Sequence, residues 1–233
     1  MVATSTFAGP EQRAGKGTLR SFMIDGPAGR LESILNEGAP EGGFAALLCH
    51  PHPSGGGTMH NKVVYHAMKA LNAPQFGLQW PVLRFNFRGT GRSEGKHDGK
   101  AEAGDVRAAL NWLTAEFDRP IVLVGFSFGA AMALLACCDH PAANVRAVAA
   151  LGLPTRTQHR EYRYPFLSHC TLPKLFLSGD CDQFAPAADL QNLAATTAEP
   201  KKLVLLPRAD HFFSNQLHAM QNELAGWLTE LLT

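Results

Sequence analysis

The sequence predicts an α/β fold, a mostly parallel central sheet of about eight strands with helices on both faces and no large lid. Three observations carry that expectation. Short apolar or β-branched runs alternate along the chain with longer stretches of helical apolar spacing. The run at 121–124 is continuously apolar, as strands covered on both faces are, and 145–151 is apolar except for Arg146. The segments rich in Gly, Pro, Ser, Asp and His follow the strands, at the edge where such sheets bind ligands.

Taken in order, Leu19 to Asp25 and Leu31 to Asn36 alternate about Gly26-Pro27-Ala28-Gly29 and read as an opening antiparallel hairpin. Phe44 to Cys49 is a buried strand that runs into His50-Pro51-His52-Pro53-Ser54-Gly55-Gly56-Gly57, too rich in proline and glycine for regular structure. Asn61 to Leu71 places Val64, Ala67, Met68 and Leu71 at helical spacing. Val82 to Phe87 is the next strand, and Asp105 to Phe117 a helix with Val106, Ala109, Leu110 and Leu113 on one face. Strands follow at Ile121–Val124, Val145–Leu151, Leu172–Ser178 and Leu203–Leu206, and Gln216 to Leu232 closes the chain as a helix. No repeat, low-complexity run or internal linker divides the sequence, so residues 19–233 are expected to form one domain after a polar, mobile tail at 1–18.

Composition narrows the function. A chain of 233 residues, 45% hydrophobic and with formal charge +1, offers no footprint for nucleic acid or another polyanion and suits a small-molecule enzyme. Neither a signal peptide nor a membrane span is expected, which places the protein in the cytoplasm. The odd set Cys49, Cys137, Cys138, Cys170 and Cys181 lacks framework spacing and is expected to be reduced, with Cys137 and Cys138 packing as small apolar groups.

The strongest chemical signal is Gly125-Phe126-Ser127-Phe128-Gly129, set between the strand at 121–124 and the helix formers Ala130 to Ala136. A serine at so sharp a strand-to-helix turn holds its hydroxyl clear of the backbone, and the glycines remove side chains that would clash. The helix that starts beneath it turns its N-terminal partial charge toward an oxyanion formed there. A serine needs a base, and the base an orienting acid. One strand-following loop carries Asp180 and Asp182, and another carries Asp210 and His211, so the order is Ser, Asp, His. The plainer reading makes these residues turn and cap groups. Three elements at one sheet edge in that order favour catalysis.

These residues resemble the α/β-hydrolase superfamily over roughly residues 19 to 233. The superfamily's acid lies in a pattern like G-x-x-D-x-x-x-P. Gly179, Asp182 and Pro186 match it, which makes Asp182 the expected acid and Asp180 the runner-up. Ala209-Asp210-His211-Phe212-Phe213 is similar to the histidine loop of the dienelactone-hydrolase branch, which typically carries a cysteine nucleophile where serine stands here. The resemblance implies an oxyanion hole from the amides of Phe128 and of His52, because His50-Pro51 replaces the His-Gly of other members and proline has no N–H. Phe85-Asn86-Phe87-Arg88-Gly89-Thr90-Gly91-Arg92-Ser93 looks like the structural R-G-x-G-x-S turn, which packs beneath the site.

Competing patterns fail on spacing. His50, His52 and His60 have no flanking carboxylate and make a poor zinc site. Gly89-Thr90-Gly91 puts Glu94 where a dinucleotide fingerprint needs its third glycine, and Gly15-Lys16-Gly17-Thr18 lacks the spacing of a P-loop. Between Leu151 and Leu172 there is room for no helical lid. Arg156, Arg160 and Arg163 alternate there with His159, Tyr162 and Tyr164, either as a solvated surface or as a basic, aromatic rim for anionic substrates.

The expectation is a lidless serine esterase of the carboxylesterase kind, with Ser127, Asp182 and His211 catalytic and with neither metal nor cofactor. Phe126, Phe184 and Phe212, with Phe213, would line a pocket for short acyl chains. An acyltransferase or perhydrolase would share the acyl-enzyme, and a non-catalytic binding protein would share only the fold.

Overall fold

The structure, a computed structural model, describes residues 18–139, 144–157 and 160–232. The tail expected over Met1 to Gly17, and His159, lie outside the described residues. β1 (Leu19–Gly26) and β2 (Gly29–Asn36) form the expected hairpin, with Gly26 paired to Gly29 across Pro27 and Ala28. The chain continues through β3 (Ala45–Cys49), α1 (Lys62–Asn72), β4 (Val82–Phe85), α2 (Glu102–Phe117), β5 (Ile121–Phe126) and α3 (Phe128–Leu134). A π turn at Leu135–Asp139 leads on to β6 (Val145–Leu151). A two-stranded hairpin follows, β7 (Arg156–Thr157) and β8 (Arg160–Glu161), then β9 (Lys174–Gly179), α4 (Ala187–Thr196), β10 (Lys201–Leu206) and α5 (Leu217–Leu232).

The sheet has eight strands in the order β1-β2-β4-β3-β5-β6-β9-β10. β1 with β2 and β2 with β4 are antiparallel, and every later pair is parallel. Side chains alternate through this sheet into two cores. Ile121 and Leu123 of β5 join α2, α3 and Leu190 of α4 on one face. Val122, Val124 and Phe126 join α1 and α5 on the other. Strand order reverses between β3 and β5, since β4 lies on one side of β3 and β5 on the other. A crevice opens at the carboxyl ends at such a point, and it receives both the His50–Gly57 loop and the turn at Ser127.

Most element bounds fall within two or three residues of expectation. Asn61 caps α1 rather than beginning it, its Oδ1 accepting from Val63 N at 2.9 Å. α2 begins a turn earlier than expected, at Glu102. Helix α4 was not anticipated, nor was the hairpin β7–β8. The expectation of reduced thiols is corrected at one pair: Cys138 and Cys170 are disulfide-bonded, while Cys49, Cys137 and Cys181 are free. The bond ties the end of the α3 segment to the chain entering β9, and a 32-residue separation leaves no spacing pattern to reveal it.

Candidate active site

Ser127 sits at the bend with φ 55° and ψ −119°, a left-handed backbone for a residue with a side chain. Its neighbours show why the turn demands glycine. A Cβ on Gly125 would collide with the Gly129 carbonyl, and one on Gly129 would strike the Cys49 and His50 carbonyls at the end of β3. The strain is held by the Ser127 N–H donating to Leu151 O at 2.9 Å, and by Ala130 N, at 2.9 Å, donating to Ser127 O to start α3.

The loops after β9 and β10 converge on this serine. His211 Nε2 lies 2.9 Å from Ser127 Oγ, and His211 Nδ1 lies 2.8 Å from Asp182 Oδ2. The Asp182 carboxylate is buried and fully engaged. Its Oδ2 also accepts from Ser178 Oγ at 2.9 Å, and its Oδ1 accepts from the N–H groups of Phe184 (2.8 Å) and Ala185 (3.1 Å). With Asp182 so held, the Nδ1–H of His211 donates to it and Nε2 is left as the acceptor for the serine proton. The imidazole is 3% exposed and enclosed by Phe126, Phe184 and Phe212, with ring centroids 5.0, 4.7 and 5.2 Å away.

The other two aspartates have structural work. Asp180 is exposed and turned to the neighbouring loop, where its Oδ1 accepts from Arg208 N at 2.6 Å and from the Cys181 thiol at 3.2 Å. Asp210 closes its own turn, accepting from Phe212 N (3.1 Å) and Ser214 N (2.8 Å), and the Ser214 amide holds its carboxyl below the usual range. Neither reaches the imidazole in these hydrogen bonds.

His52 and Phe128 lie on the walls of a cavity of about 190 Å³ above Ser127, with Pro51, Asn61, Pro154, Thr157, Tyr162, Phe184, His211 and Phe212. The two expected oxyanion residues thus share a wall with the serine, and their rings meet edge to face at 4.9 Å. Phe184 and Phe212 line the cavity as expected, Phe212 with 49% exposure. Phe126 does not: it is buried behind the imidazole in the α5-side core, and Phe213 is buried there too. Period 2 along β5 decides this, because a residue one place before the bend points into the sheet packing.

His50 is no metal ligand, since both ring nitrogens are occupied. Its Nδ1–H donates to Pro51 O at 2.7 Å and its Nε2 accepts from Phe87 N at 2.9 Å. Burial pushes its pKa down to about 4, so it stays neutral and staples the wall loop to the end of β4. Among the described residues no group of three His, Cys, Asp or Glu side chains converges as a metal site. Arg88 of the R-G-x-G-x-S turn clasps Asp105 of α2 through Nε at 3.0 Å and through Nη2 at 2.6 Å, a buried pair that fixes the turn against the helix. Two of the three arginines of the Arg/Tyr segment meet carboxylates. Arg156 Nη2 pairs with Asp189 at 2.8 Å and Arg163 with Glu161 at 3.5 Å.

Sequence reasoning missed Ser178, whose position at the end of β9, four residues before Asp182, was the available signal. It also missed Asn61, Pro154 and Thr157 as cavity residues, which only the fold brings to Ser127, whereas Tyr162, named in the aromatic rim reading, does line the cavity.

A serine at a strained turn on this sheet, with a histidine and a buried carboxylate behind it, is the architecture of an α/β-hydrolase. The chain belongs to that family: residues 45–228 match the alpha/beta hydrolase domain. It is similar to an uncharacterized protein of Rickettsia prowazekii, 36% identical over 215 residues that cover 89% of this chain and 87% of that one. Among solved structures it is similar to an alpha-beta serine hydrolase homologue from Coxiella burnetii, at 32% identity and TM-score 0.80 over 90% of this chain and 97% of the other. A lidless a/b serine hydrolase from Xanthomonas campestris matches at 29% identity and TM-score 0.80, over 95% and 97% of the two chains. No helix among the described residues is long and apolar enough to cross a membrane.

Proposed function

We propose that the protein is a serine esterase that cleaves small carboxylic esters with short acyl chains through an acyl-enzyme on Ser127. The observation that carries the reading is the unbroken contact from Ser127 Oγ through His211 (2.9 Å) to the buried Asp182 carboxylate (2.8 Å) at the floor of a small apolar cavity. His211 Nε2 takes the serine proton as Oγ bonds to the acyl carbon, and returns it to the alcohol oxygen as that bond breaks. Asp182 fixes the tautomer and stabilises the imidazolium. The amides of Phe128 and His52 hold the oxyanion. Water, deprotonated by His211, then attacks the acyl carbon and frees Ser127 and the acid. Residues of the chain suffice for each step.

The test is covalent labelling with a fluorophosphonate, run beside hydrolysis of p-nitrophenyl acetate. The expected result is one label on Ser127, with Ser127→Ala losing label and turnover while keeping its melting temperature. More than a few per cent of residual turnover in that variant would remove Ser127 from the role.

A further inference from the structure

Two recesses meet at one side chain. Tyr162 stands in the wall of the 190 Å³ cavity over Ser127, and also in the wall of a wider groove of about 670 Å³ between the β7–β8 hairpin and α4. Thr155, Tyr164, Asp189 and Leu193 line the groove on its far side. The tyrosine is held in place from several directions. Its N–H donates to Thr155 O at 2.9 Å, and the N–H groups of Thr155 (2.9 Å) and Arg156 (3.2 Å) donate to Phe184 O, on the loop that carries Asp182. Asp189 Oδ2 accepts from Thr155 Oγ1 and from Arg156 Nε, both at 3.0 Å, which anchors the hairpin to α4. The Tyr162 ring stacks on Tyr164 at 6.4 Å and 16°, and the buried Tyr164 donates its hydroxyl to Pro154 O at 2.7 Å.

Thr157 and Tyr162 bring this segment to the cavity, where the tyrosine ring is its aromatic wall, while Arg156 and Arg163 pair with Asp189 and Glu161. We infer that Tyr162 is a specificity-determining residue: its ring is the partition that closes the acyl site off from the neighbouring groove and thereby restricts the protein to short acyl groups. The inference rests on the esterase reading of Ser127. Opening the partition joins the two recesses, so a chain too long for the cavity runs on over Tyr164 and Leu193.

The experiment measures kcat/KM for p-nitrophenyl esters from acetate to decanoate, which keeps the leaving group constant. The wild type is expected to peak at or below butyrate. In Tyr162→Ala the maximum moves to longer chains. Each further methylene buried is worth about fourfold, so the octanoate-to-acetate ratio rises by about tenfold or more. Tyr162→Leu gives a smaller shift in the same direction and decides the matter if the alanine variant does not fold. Adding Leu193→Trp to Tyr162→Ala sets a bulky ring in the groove and moves the profile back toward short chains. A chain-length profile unchanged by both Tyr162 substitutions overturns the partition while leaving the esterase intact, and so does a wild type that already prefers octanoate. A wild type inert to every ester and to fluorophosphonate overturns the underlying reading instead.

Discussion

Replacing Asp182 by Asn should cripple the protein through the direction of one proton. The Oδ1 of Asp182 accepts two backbone N–H groups, from Phe184 and Ala185, and Oδ2 faces Ser178 Oγ and His211 Nδ1. An amide must therefore keep its oxygen toward the two backbone donors and turn its NH₂ toward Ser178 and His211. Ser178 can accept in place of donating, since a hydroxyl does both. His211 cannot adapt without loss. Nδ1 becomes an acceptor, the ring proton moves to Nε2, and Nε2 then points a hydrogen at Ser127 Oγ instead of a lone pair. The base is gone although every heavy atom stays in place. Such a tautomer trap, with the lost carboxylate charge, costs about 10⁴ in kcat, or about 5.5 kcal/mol of barrier. Asp180→Asn disturbs only an exposed tie to Arg208 N and the Cys181 thiol, so kcat should stay within about threefold, as surface changes away from such networks do. The assay is steady-state hydrolysis of p-nitrophenyl acetate by both variants, with thermal melting to verify the fold. A larger loss in Asp180→Asn than in Asp182→Asn would refute the assignment.

Three further outcomes are expected. His50 is neutral in the fold with a pKa of about 4 against an ordinary 6.5, so below pH 6.5 only the unfolded chain takes up its proton. Stability at this site then falls with falling pH by about 1.4 kcal/mol per unit until about pH 4, a total of about 3 kcal/mol; an NMR titration placing the folded His50 midpoint near 6.5 would contradict this. Gly129→Ala drives a methyl into the Cys49 and His50 carbonyls, which should cost about 1–3 kcal/mol in urea unfolding and lower kcat by moving the Phe128 amide; wild-type stability and turnover in that variant would show that the loop yields freely. Because Pro154, Thr157 and Tyr162, the described residues of the 152–171 segment that line the cavity, belong to a short hairpin and its flanks, initial rates with p-nitrophenyl butyrate should pass its solubility limit without a jump, and activation at the emulsion surface would show that residues 152–171 move as a lid.

The sheet and the polar ends of the site were legible because local pattern determines them. Apolar runs identify β3 and β5 as strands covered on both faces, β6 and β9 are apolar over most of their length, and each places the next loop at the same edge. Gly125 and Gly129 are legible because two backbones approach too closely there for any side chain. The Asp182 reading came from the family resemblance and its spacing to Gly179 and Pro186. The structure adds a reason: only from that register can one oxygen cap the N–H groups at 184 and 185 while the other meets the imidazole.

What sequence could not supply lies in contacts with no local signature. Phe126 and Phe184 flank motifs equally well, yet the pleat of β5 sends one into the core, while a loop turns the other to the cavity. The Cys138–Cys170 bond closes between a helix end and a strand entry whose proximity depends on the whole β6–β9 crossing. The Arg/Tyr segment was ambiguous for a related reason. Its charges invite a functional reading until Asp189, on a helix whose apolar spacing is weak, is seen to neutralise Arg156. That same ion pair holds the hairpin, and the hairpin holds Tyr162 over the serine. The carboxylate that answers the charge of Arg156 therefore also seats the aromatic wall, and in this segment charge serves shape.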